Sequence, residues 1–150
     1  MQETATTETF STEQQTVVFR LGQESYGIDI FQVNEIIRMR EITPVPKSEP
    51  HVRGLINLRG KTIPVVDLRV RMSLPTAEAT DSTRIIVVET DNGNIGIVVD
   101  AVTEVVSLEG QEIQDAPKIV NDLSTDFVHA VAQREGRLIT LLNLDRALAA

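Results

Sequence analysis

The stretch that decides the fold is Tyr26-Gly27-Ile28-Asp29-Ile30-Phe31-Gln32-Val33-Asn34-Glu35-Ile36-Ile37. It aligns without gaps on a later stretch, Ile95-Gly96-Ile97-Val98-Val99-Asp100-Ala101-Val102-Thr103-Glu104-Val105-Val106. The Gly-Ile, Val and Glu positions coincide, and β-branched residues match at several others. A match of this length inside one chain indicates an internal repeat.

A second pair of stretches extends the repeat toward the end of the chain. Residues 59–68 (RGKTIPVVDL) align on residues 135–144 (EGRLITLLNL), each pair around a glycine that punctuates a predicted hairpin. The chain is therefore a degenerate tandem duplication. Each half contains about five predicted strands, which suits a small closed or nearly closed barrel. Because so small a half has a marginal core alone, we expect the two halves to share an interface and fold together.

Composition supports an all-β protein with an aliphatic core. Eighteen valines and fourteen isoleucines stand against twelve leucines, and β-branched side chains favour strands. The chain has no tryptophan, one tyrosine and four phenylalanines. Few aromatic residues argue against a proline-peptide groove and against a base-stacking surface, since both need exposed aromatic rings.

The domain organisation follows from the repeat. Residues 1–15 are rich in Thr, Glu and Gln and are predicted to form a disordered tail. We expect residues 16–83 to form the first barrel subdomain and residues 84–150 the second, with the possibility that strands are exchanged between them. Short helical turns are expected after the last strand of each half.

Several functional classes lack support in the sequence. Without cysteine there is no thiolate nucleophile or cysteine metal site, and a net charge of −8 with a pI near 4.7 disfavours nucleic-acid binding. The chain has no run long enough for a membrane span and no signal peptide, so we expect a cytoplasmic location without membrane insertion. His51 and His129 do not stand at metal-ligand spacing, and no catalytic motif is present. We therefore predict no enzyme activity, no metal and no cofactor.

Charge is concentrated in one segment. Between residues 38 and 71 there are eight basic and three acidic residues, in a chain that is acidic as a whole. This pattern fits either ordinary solvated strand faces or a protein-binding surface complementary to acidic partner helices, and the sequence does not decide between them.

The repeat singles out Arg59. Gly60 and Gly136 match and are best explained by hairpin geometry, whereas the counterpart of Arg59 is Glu135. A hairpin does not need an arginine beside its glycine, so Arg59 is a candidate binding residue. Glu35 matches Glu104, which favours a structural role, although Glu35 could also pair with Arg59.

These residues resemble the CheW family of bacterial chemotaxis coupling proteins. The match is carried by residues 26–30 (YGIDI), 33–36 (VNEI), 50–60 (PHVRGLINLRG), 63–68 (IPVVDL) and 96–100 (GIVVD), and it covers roughly residues 16–149. The resemblance implies two SH3-like five-stranded barrels packed together and no catalysis. It also implies a role in bridging chemoreceptors (methyl-accepting chemotaxis proteins) to the histidine kinase CheA, within receptor arrays at the membrane.

The resemblance also suggests contact residues. It implies that the receptor tip binds in the groove between the barrels, at Val33, Glu35, Ile36, Asn57, Leu58, Arg59 and Gly60. For the kinase it implies end-to-end packing against the CheW-like regulatory domain of CheA, which we place on Ile97, Val98, Val99 and Val102. Because strand side chains alternate, one of the adjacent pair Val98 and Val99 is expected to point outward.

An alternative from another class is a small-ligand-binding β-barrel, since an aliphatic interior can hold an apolar molecule. Halves of this size should instead fill their interiors with side chains. Co-purification with receptor cytoplasmic fragments would discriminate between these two functions.

Overall fold

The computed structural model describes residues 13–115 and 127–148, which form eleven strands and two short α-helices. The strands of the first part are β1 (Glu13–Leu21), β2 (Glu24–Asp29), β3 (Val33–Arg38), β4 (Val52–Leu58) and β5 (Lys61–Asp67), and helix α1 (Leu68–Arg71) follows them. The later elements are β6 (Arg84–Thr90), β7 (Gly93–Val99), β8 (Ala101–Glu109), β9 (Ile113–Asp115), β10 (Val128–Arg134), β11 (Arg137–Leu142) and α2 (Leu144–Ala147). Among the described residues, no helix has the length and hydropathy needed to cross a membrane.

The strands form two curled sheets, which confirms the predicted all-β fold with two SH3-like barrels. One sheet has the order β8-β1-β2-β11-β10-β9, and we name it the terminal barrel because it holds the first and last strands. The other has the order β3-β6-β7-β5-β4, and we name it the central barrel. The terminal barrel has six strands rather than the expected five because the three-residue β9 pairs with β10. In the central barrel a single bridge, between Thr43 and Leu55, stands at the matching place.

The two repeats contribute strands to both barrels. The terminal barrel combines β1 and β2 of the first repeat with β8 to β11 of the second. The central barrel combines β3, β4 and β5 of the first repeat with β6 and β7 of the second. The predicted boundary after Thr83 therefore separates the repeats but does not separate the two sheets.

The repeats are joined at four strand pairs, of which β1 with β8 and β3 with β6 are antiparallel and the other two are parallel. Strand β11 runs parallel to β2 with Leu141 opposite Gly27, and β5 runs parallel to β7 with Val65 opposite Gly96. All the other strand pairs within the described sheets are antiparallel. We name these two parallel pairs the joints. Corresponding residues of the two repeats face each other in both joints, so the structure has approximate internal two-fold symmetry.

Each joint needs a glycine because neighbouring side chains approach its backbone closely. A Cβ atom at Gly27 would lie 2.6 Å from Thr16 Cγ2 and 2.9 Å from Leu141 Cδ2. At Gly96 the nearest atom would be Ile85 Cγ2, at 2.9 Å. These distances are too short for carbon atoms, so the matched glycines of the repeat are a packing requirement.

Three aliphatic clusters fill the fold. The largest lies between the barrels and takes side chains from both, including Phe19, Ile28, Leu68, Ile97 and Leu144. A second cluster fills the terminal barrel around Val18 and Ile139, and a third fills the central barrel around Ile85 and Val65. The barrel interiors therefore hold packed side chains, as expected for halves of this size, and this packing disfavours the ligand-barrel alternative.

The predicted disordered tail is partly wrong. Residues 13–15 belong to β1, where they pair with residues 107–109 of β8. Their polar side chains gave no strand signal, but an antiparallel ladder needs only backbone groups. Residues 1–12 of the predicted tail lie outside the described residues.

A partly buried ion pair fastens the turn between β1 and β2 to the centre of the chain. Arg69 donates to Asp100 through Nε (3.0 Å) and Nη2 (2.5 Å). Asp100 also accepts a hydrogen bond from the backbone N–H of Gly22 at 2.7 Å. The Arg69 hydrogen bond, supported by Gly22, holds the pKa of Asp100 below its ordinary value despite partial desolvation.

We predict that Gly27→Ala lowers the free energy of unfolding by about 2–3 kcal/mol, because the new methyl group overpacks two side chains. Gly96→Ala is the corresponding variant in the other barrel. It should lower the free energy of unfolding by less, because only one atom would lie within 3.0 Å of the new Cβ. Chemical denaturation measures both values. A Gly27→Ala protein as stable as the wild type would contradict the packing argument.

We predict that Asp100→Asn lowers the free energy of unfolding at pH 7 by about 2 kcal/mol, because it removes one member of a partly buried pair. The folded-state pKa of Asp100 is depressed, so its contribution is present above the ordinary pKa of 3.8 and is lost as pH falls through the folded value. Thermal unfolding between pH 7 and pH 2 should show a steeper loss in the wild type. Parallel pH profiles for the two proteins would contradict this prediction.

Candidate functional site

The predicted receptor-contact residues lie on one barrel, at the two edges of its sheet. Val33, Glu35 and Ile36 are on β3, Asn57 and Leu58 end β4, and Arg59 and Gly60 form the turn to β5. Strands β3 and β4 are opposite edges of the central barrel, so the curl of the sheet brings the two groups together. All seven residues thus belong to the central barrel, and Val33 packs toward the core between the barrels.

The turn at Arg59 has an unusual backbone for its residues. Arg59 and Gly60 are the two loop residues between paired Leu58 and Lys61, with φ of 53° and 83°. Two positive φ values are typical of a type I′ hairpin turn, which favours Asn, Asp or Gly at its first position. The repeat predicts special backbone geometry for Gly60 alone, whereas the structure has a positive φ at Arg59 as well. Turn preference therefore does not explain the arginine.

Arg59 forms a bidentate ion pair with Glu35. Its Nη1 lies 2.5 Å from Glu35 Oε2 and its Nη2 lies 2.9 Å from Glu35 Oε1. A β-bulge in the register just before Glu35, at Asn34, helps to set the direction of its side chain. The Arg59 side chain is 73% exposed and that of Glu35 is 26% exposed. The pair joins the two sheet edges while leaving the guanidinium at the surface.

Hydrogen bonds hold the rest of the turn in place. The side-chain oxygen of Asn57 accepts from the backbone N–H of Gly60 at 3.1 Å. Arg40 Nη1 donates to the backbone carbonyl of Asn57 at 3.0 Å. The tip that carries Arg59 is therefore fixed from both sides before any partner binds.

The other barrel closes with a similar pair but places its arginine differently. Glu104, the counterpart of Glu35, pairs with Arg137. Arg137 follows the turn glycine and corresponds to Lys61, whereas the turn position corresponding to Arg59 is Glu135. Closure of a barrel can thus be achieved without an arginine at the tip. Glu35 and Glu104 both close their barrels by pairing with an arginine, which explains why the two repeats have glutamate at this position. Barrel closure does not explain why Arg59 lies in the turn.

Two of the seven residues contribute little surface. Leu58 is buried in the core of the central barrel, and Val33 is partly buried against the core between the barrels. Ile36 is 40% exposed. The accessible members are Glu35, Ile36, Asn57, Arg59 and Gly60, and we name them the Arg59 surface.

The predicted exposed aliphatic surface for the kinase is wrong. Ile97, Val98 and Val99 are all buried, and neither Val98 nor Val99 points outward. Strand β7 has a core on each face: Val98 enters the core of the central barrel, and Ile97 and Val99 enter the core between the barrels. Alternation therefore sends successive side chains into two different cores. Val102 is partly buried against the second of these.

Some exposed apolar residues of the structure lie outside both predicted contact sets. Phe31 is 85% exposed in a 3-10 turn, and Val105 and Leu138 are also exposed on the terminal barrel. Val105 is the repeat counterpart of Ile36, so the alignment of the two repeats contained a signal for it. No such signal marks Phe31, whose counterpart is the ion-paired Asp100.

The two histidines lie on different barrels of the described structure. His51 is partly buried at the start of β4, where burial, and then the positive charge of Arg71, lower its pKa. His129 lies on β10 in the other barrel. Among the described residues, no three His, Asp or Glu side chains are grouped so that they could hold a metal ion.

We predict that the carboxyl pKa of Glu35 rises toward its ordinary value in Arg59→Gln, because the Arg59 hydrogen bond is the main cause that lowers it. Arg59→Lys should give an intermediate value, since it keeps the charge but loses the planar fork. A ¹³C NMR titration of the Glu35 side chain measures all three proteins. Equal titration midpoints in the three would show that the pair does not persist in solution.

Comparison with known proteins now identifies the fold family. The family model described as "CheW-like domain" matches residues 15–150. A chemotaxis protein CheW of Rhizobium meliloti is 36% identical over 129 residues, which cover 86% of this chain and 83% of the relative. One from Bacillus subtilis is 34% identical over 137 residues, covering 91% and 88%.

A solved structure agrees with the sequence relatives. The crystal structure of scaffolding protein TtCheW from Thermoanaerobacter tengcongensis superposes with a TM-score of 0.85 at 36% identity, and the match covers 91% of this chain and 93% of that one. Similarity of this extent in both sequence and structure confirms the resemblance inferred from the residues. The chain belongs to the CheW family of chemotaxis coupling and scaffold proteins.

Proposed function

We propose that this chain is a non-catalytic adaptor that couples chemoreceptors to the histidine kinase CheA. Membership of the CheW family supports this function, together with relatives named as chemotaxis proteins and a structural neighbour named as a scaffolding protein. In such a role the protein works in the cytoplasm, at receptor arrays assembled on the membrane. Its partners are the cytoplasmic tips of methyl-accepting chemotaxis proteins and the regulatory domain of CheA.

We further propose that the receptor tip binds the Arg59 surface. The observation that carries this proposal is the exposed guanidinium, held by Glu35 on a turn whose backbone does not favour arginine. Holding the side chain in advance reduces the conformational entropy that binding must remove. Ile36, the residue after Glu35 on β3, adds an exposed aliphatic side chain, and arginine is enriched among the residues that dominate binding at interfaces.

The charge of the surrounding segment fits a receptor helix with acidic side chains. Arg40 and Lys61 flank the Arg59 surface and belong to the basic segment 38–71. Positive charge around a contact raises the association rate with an acidic partner and helps to set its orientation. The groove between the barrels, which the resemblance implies, would be reached from the Val33 end of β3.

The kinase contact is proposed here as packing of one barrel against the CheW-like regulatory domain of CheA, without assigned contact residues. Ile97, Val98 and Val99 are excluded as an exposed contact by their burial. Val102 is the member of the predicted set whose side chain is partly accessible.

We predict that Arg59→Glu weakens receptor-tip binding by about 2 kcal/mol, or roughly 30-fold, while the fold survives. Glutamate occupies the same turn position in the other barrel at the same φ of 53°, so the backbone tolerates it. Calorimetry with a soluble receptor cytoplasmic fragment measures the affinity, and binding to the regulatory domain of CheA should be unchanged.

Lys61→Glu is the matched control for this experiment. It makes the same change of charge two residues later, on an exposed residue of β5, and leaves the Arg59–Glu35 pair intact. We expect at most a small loss of receptor affinity in this variant. If Lys61→Glu and Arg59→Glu weaken binding equally, only the overall charge matters. If Arg59→Glu binds normally, the Arg59 surface is not the receptor site.

A further inference from the structure

A notch in the terminal barrel lies beside the parallel joint of β2 and β11. It has a volume of about 190 Å³, and its floor is formed by Gly27 and aliphatic side chains of those two strands. The polar groups around it come from four places in the chain: Gln14, Asp29 and Gln32, His129, and Asn143. We name this cavity the β2–β11 notch.

The internal symmetry supplies a counterpart at the other joint, between β7 and β5. There the remaining cavity is only about 20 Å³. Arg53 occupies the place that corresponds to His129, and Asp67 the place that corresponds to Asn143. Arg53 Nη1 lies 3.4 Å from Asp67 Oδ2, so a guanidinium of the chain itself lines this counterpart beside a carboxylate, together with Met39 and residues 77–79.

The backbone aims the two corresponding residues in the same way. The register of β4 against β5 shifts between Val52 and Gly54, and that of β10 against β11 shifts between Val128 and Ala130. Arg53 and His129 are thus the extra residues of two matching β-bulges. A bulge redirects a side chain, and here it directs both toward the cavity at the joint. His129 has a shorter side chain than Arg53 and lines the wider of the two cavities.

The β2–β11 notch also contains a carboxylate, that of Asp29, but it lies at a different position from the Asp67 carboxylate of the counterpart. Asp29 corresponds to Val98 of the counterpart, so the acid lies on β2 rather than at the start of the following helix. Asp29 Oδ1 accepts from the backbone N–H of Phe31 at 3.0 Å. The lining of the β2–β11 notch contains no lysine or arginine. The parts of the terminal barrel and its adjoining turns whose side chains are described, 14–32, 100–114 and 127–148, carry eight acidic and four basic residues, so the local charge favours a cation.

We propose that the β2–β11 notch binds a guanidinium group, in the place that the chain's own Arg53 takes in the counterpart. The Asp29 carboxylate and the amide oxygens of Gln32 and Asn143 are acceptors that match the planar donors of a guanidinium, and Asn143 Oδ1 also accepts from the backbone N–H of Arg146 at 3.2 Å. The group comes either from an arginine side chain of a partner protein or from a small free guanidinium compound. This binding is independent of the Arg59 surface, which lies on the other barrel.

The test is an NMR titration of the full ¹⁵N-labelled chain with methylguanidinium chloride. We expect saturable shifts of the Gly27, Asp29 and Asn143 amides, with a dissociation constant on the order of 1–10 mM. Urea is the matched neutral probe with a similar planar shape, and it should give no saturable shift at these amides. Saturation by urea at the same concentrations, or no saturation by methylguanidinium, would overturn the proposal.

Two variants locate the binding. Asp29→Asn keeps an acceptor for the Phe31 N–H but removes the charge, and should weaken methylguanidinium binding at least about fivefold. His129→Arg supplies an internal guanidinium from the bulge, as in the counterpart, and should abolish the shifts while the thermal midpoint stays equal or rises. Unchanged binding in either variant would overturn the proposal.

A third probe, the blocked tripeptide acetyl-Gly-Arg-Gly-amide, distinguishes the two sources. If it binds at least tenfold more tightly than methylguanidinium, the notch takes an arginine of a partner chain. If the backbone adds no affinity, the notch takes a small free guanidinium compound. If the tripeptide does not bind at all while methylguanidinium does, a partner arginine is excluded.

Discussion

The parallel contacts of Leu141 with Gly27 and of Val65 with Gly96 are the constraint on which the rest of the structure depends. Each contact joins a strand of one repeat to a strand of the other, and each barrel contains one of them. Neither repeat can close a barrel from its own strands, because its first two strands belong to one sheet and its remaining strands, three in the first repeat and four in the second, belong to the other. The absence of a side chain at Gly27 allows Leu141 to approach across the joint, whereas at Gly96 the close neighbour is Ile85 of the adjacent strand β6.

The Arg59 surface depends on this exchange. Glu35 and Arg59 both come from the first repeat, yet β6 and β7 of the second repeat lie between their strands in the sheet. The width and curl of those two strands set the distance at which the carboxylate and the guanidinium meet. The same geometry explains why the kinase contact predicted on β7 is not exposed. Strand β7 lies between two cores, so neither of its faces points to solvent.

Sequence patterns predicted a large part of this architecture. Matching glycines and β-branched residues revealed the repeat, and the contrast between Arg59 and Glu135 identified the residue that the structure places at an exposed tip. Alignment shows which segments are alike but not which segments pair, so the boundary after Thr83 could not locate the sheets. Alternation along β7 was interpreted as one buried and one exposed face, because a second core beside Val99 leaves no local trace in the sequence. The strand at Glu13–Gln15 was missed because its polar side chains carry no period-two signal.

The most direct test of this account is native-state hydrogen exchange, measured on the amides of β2 in the terminal barrel and of β7 in the central barrel. If the repeats are joined as described, the most protected amides of both strands exchange through the same global unfolding. They should then show equal free energies of opening and equal dependence on denaturant. If one barrel opens at a free energy lower by more than about 1 kcal/mol, with its own smaller denaturant dependence, the barrels are independent units and the account is wrong.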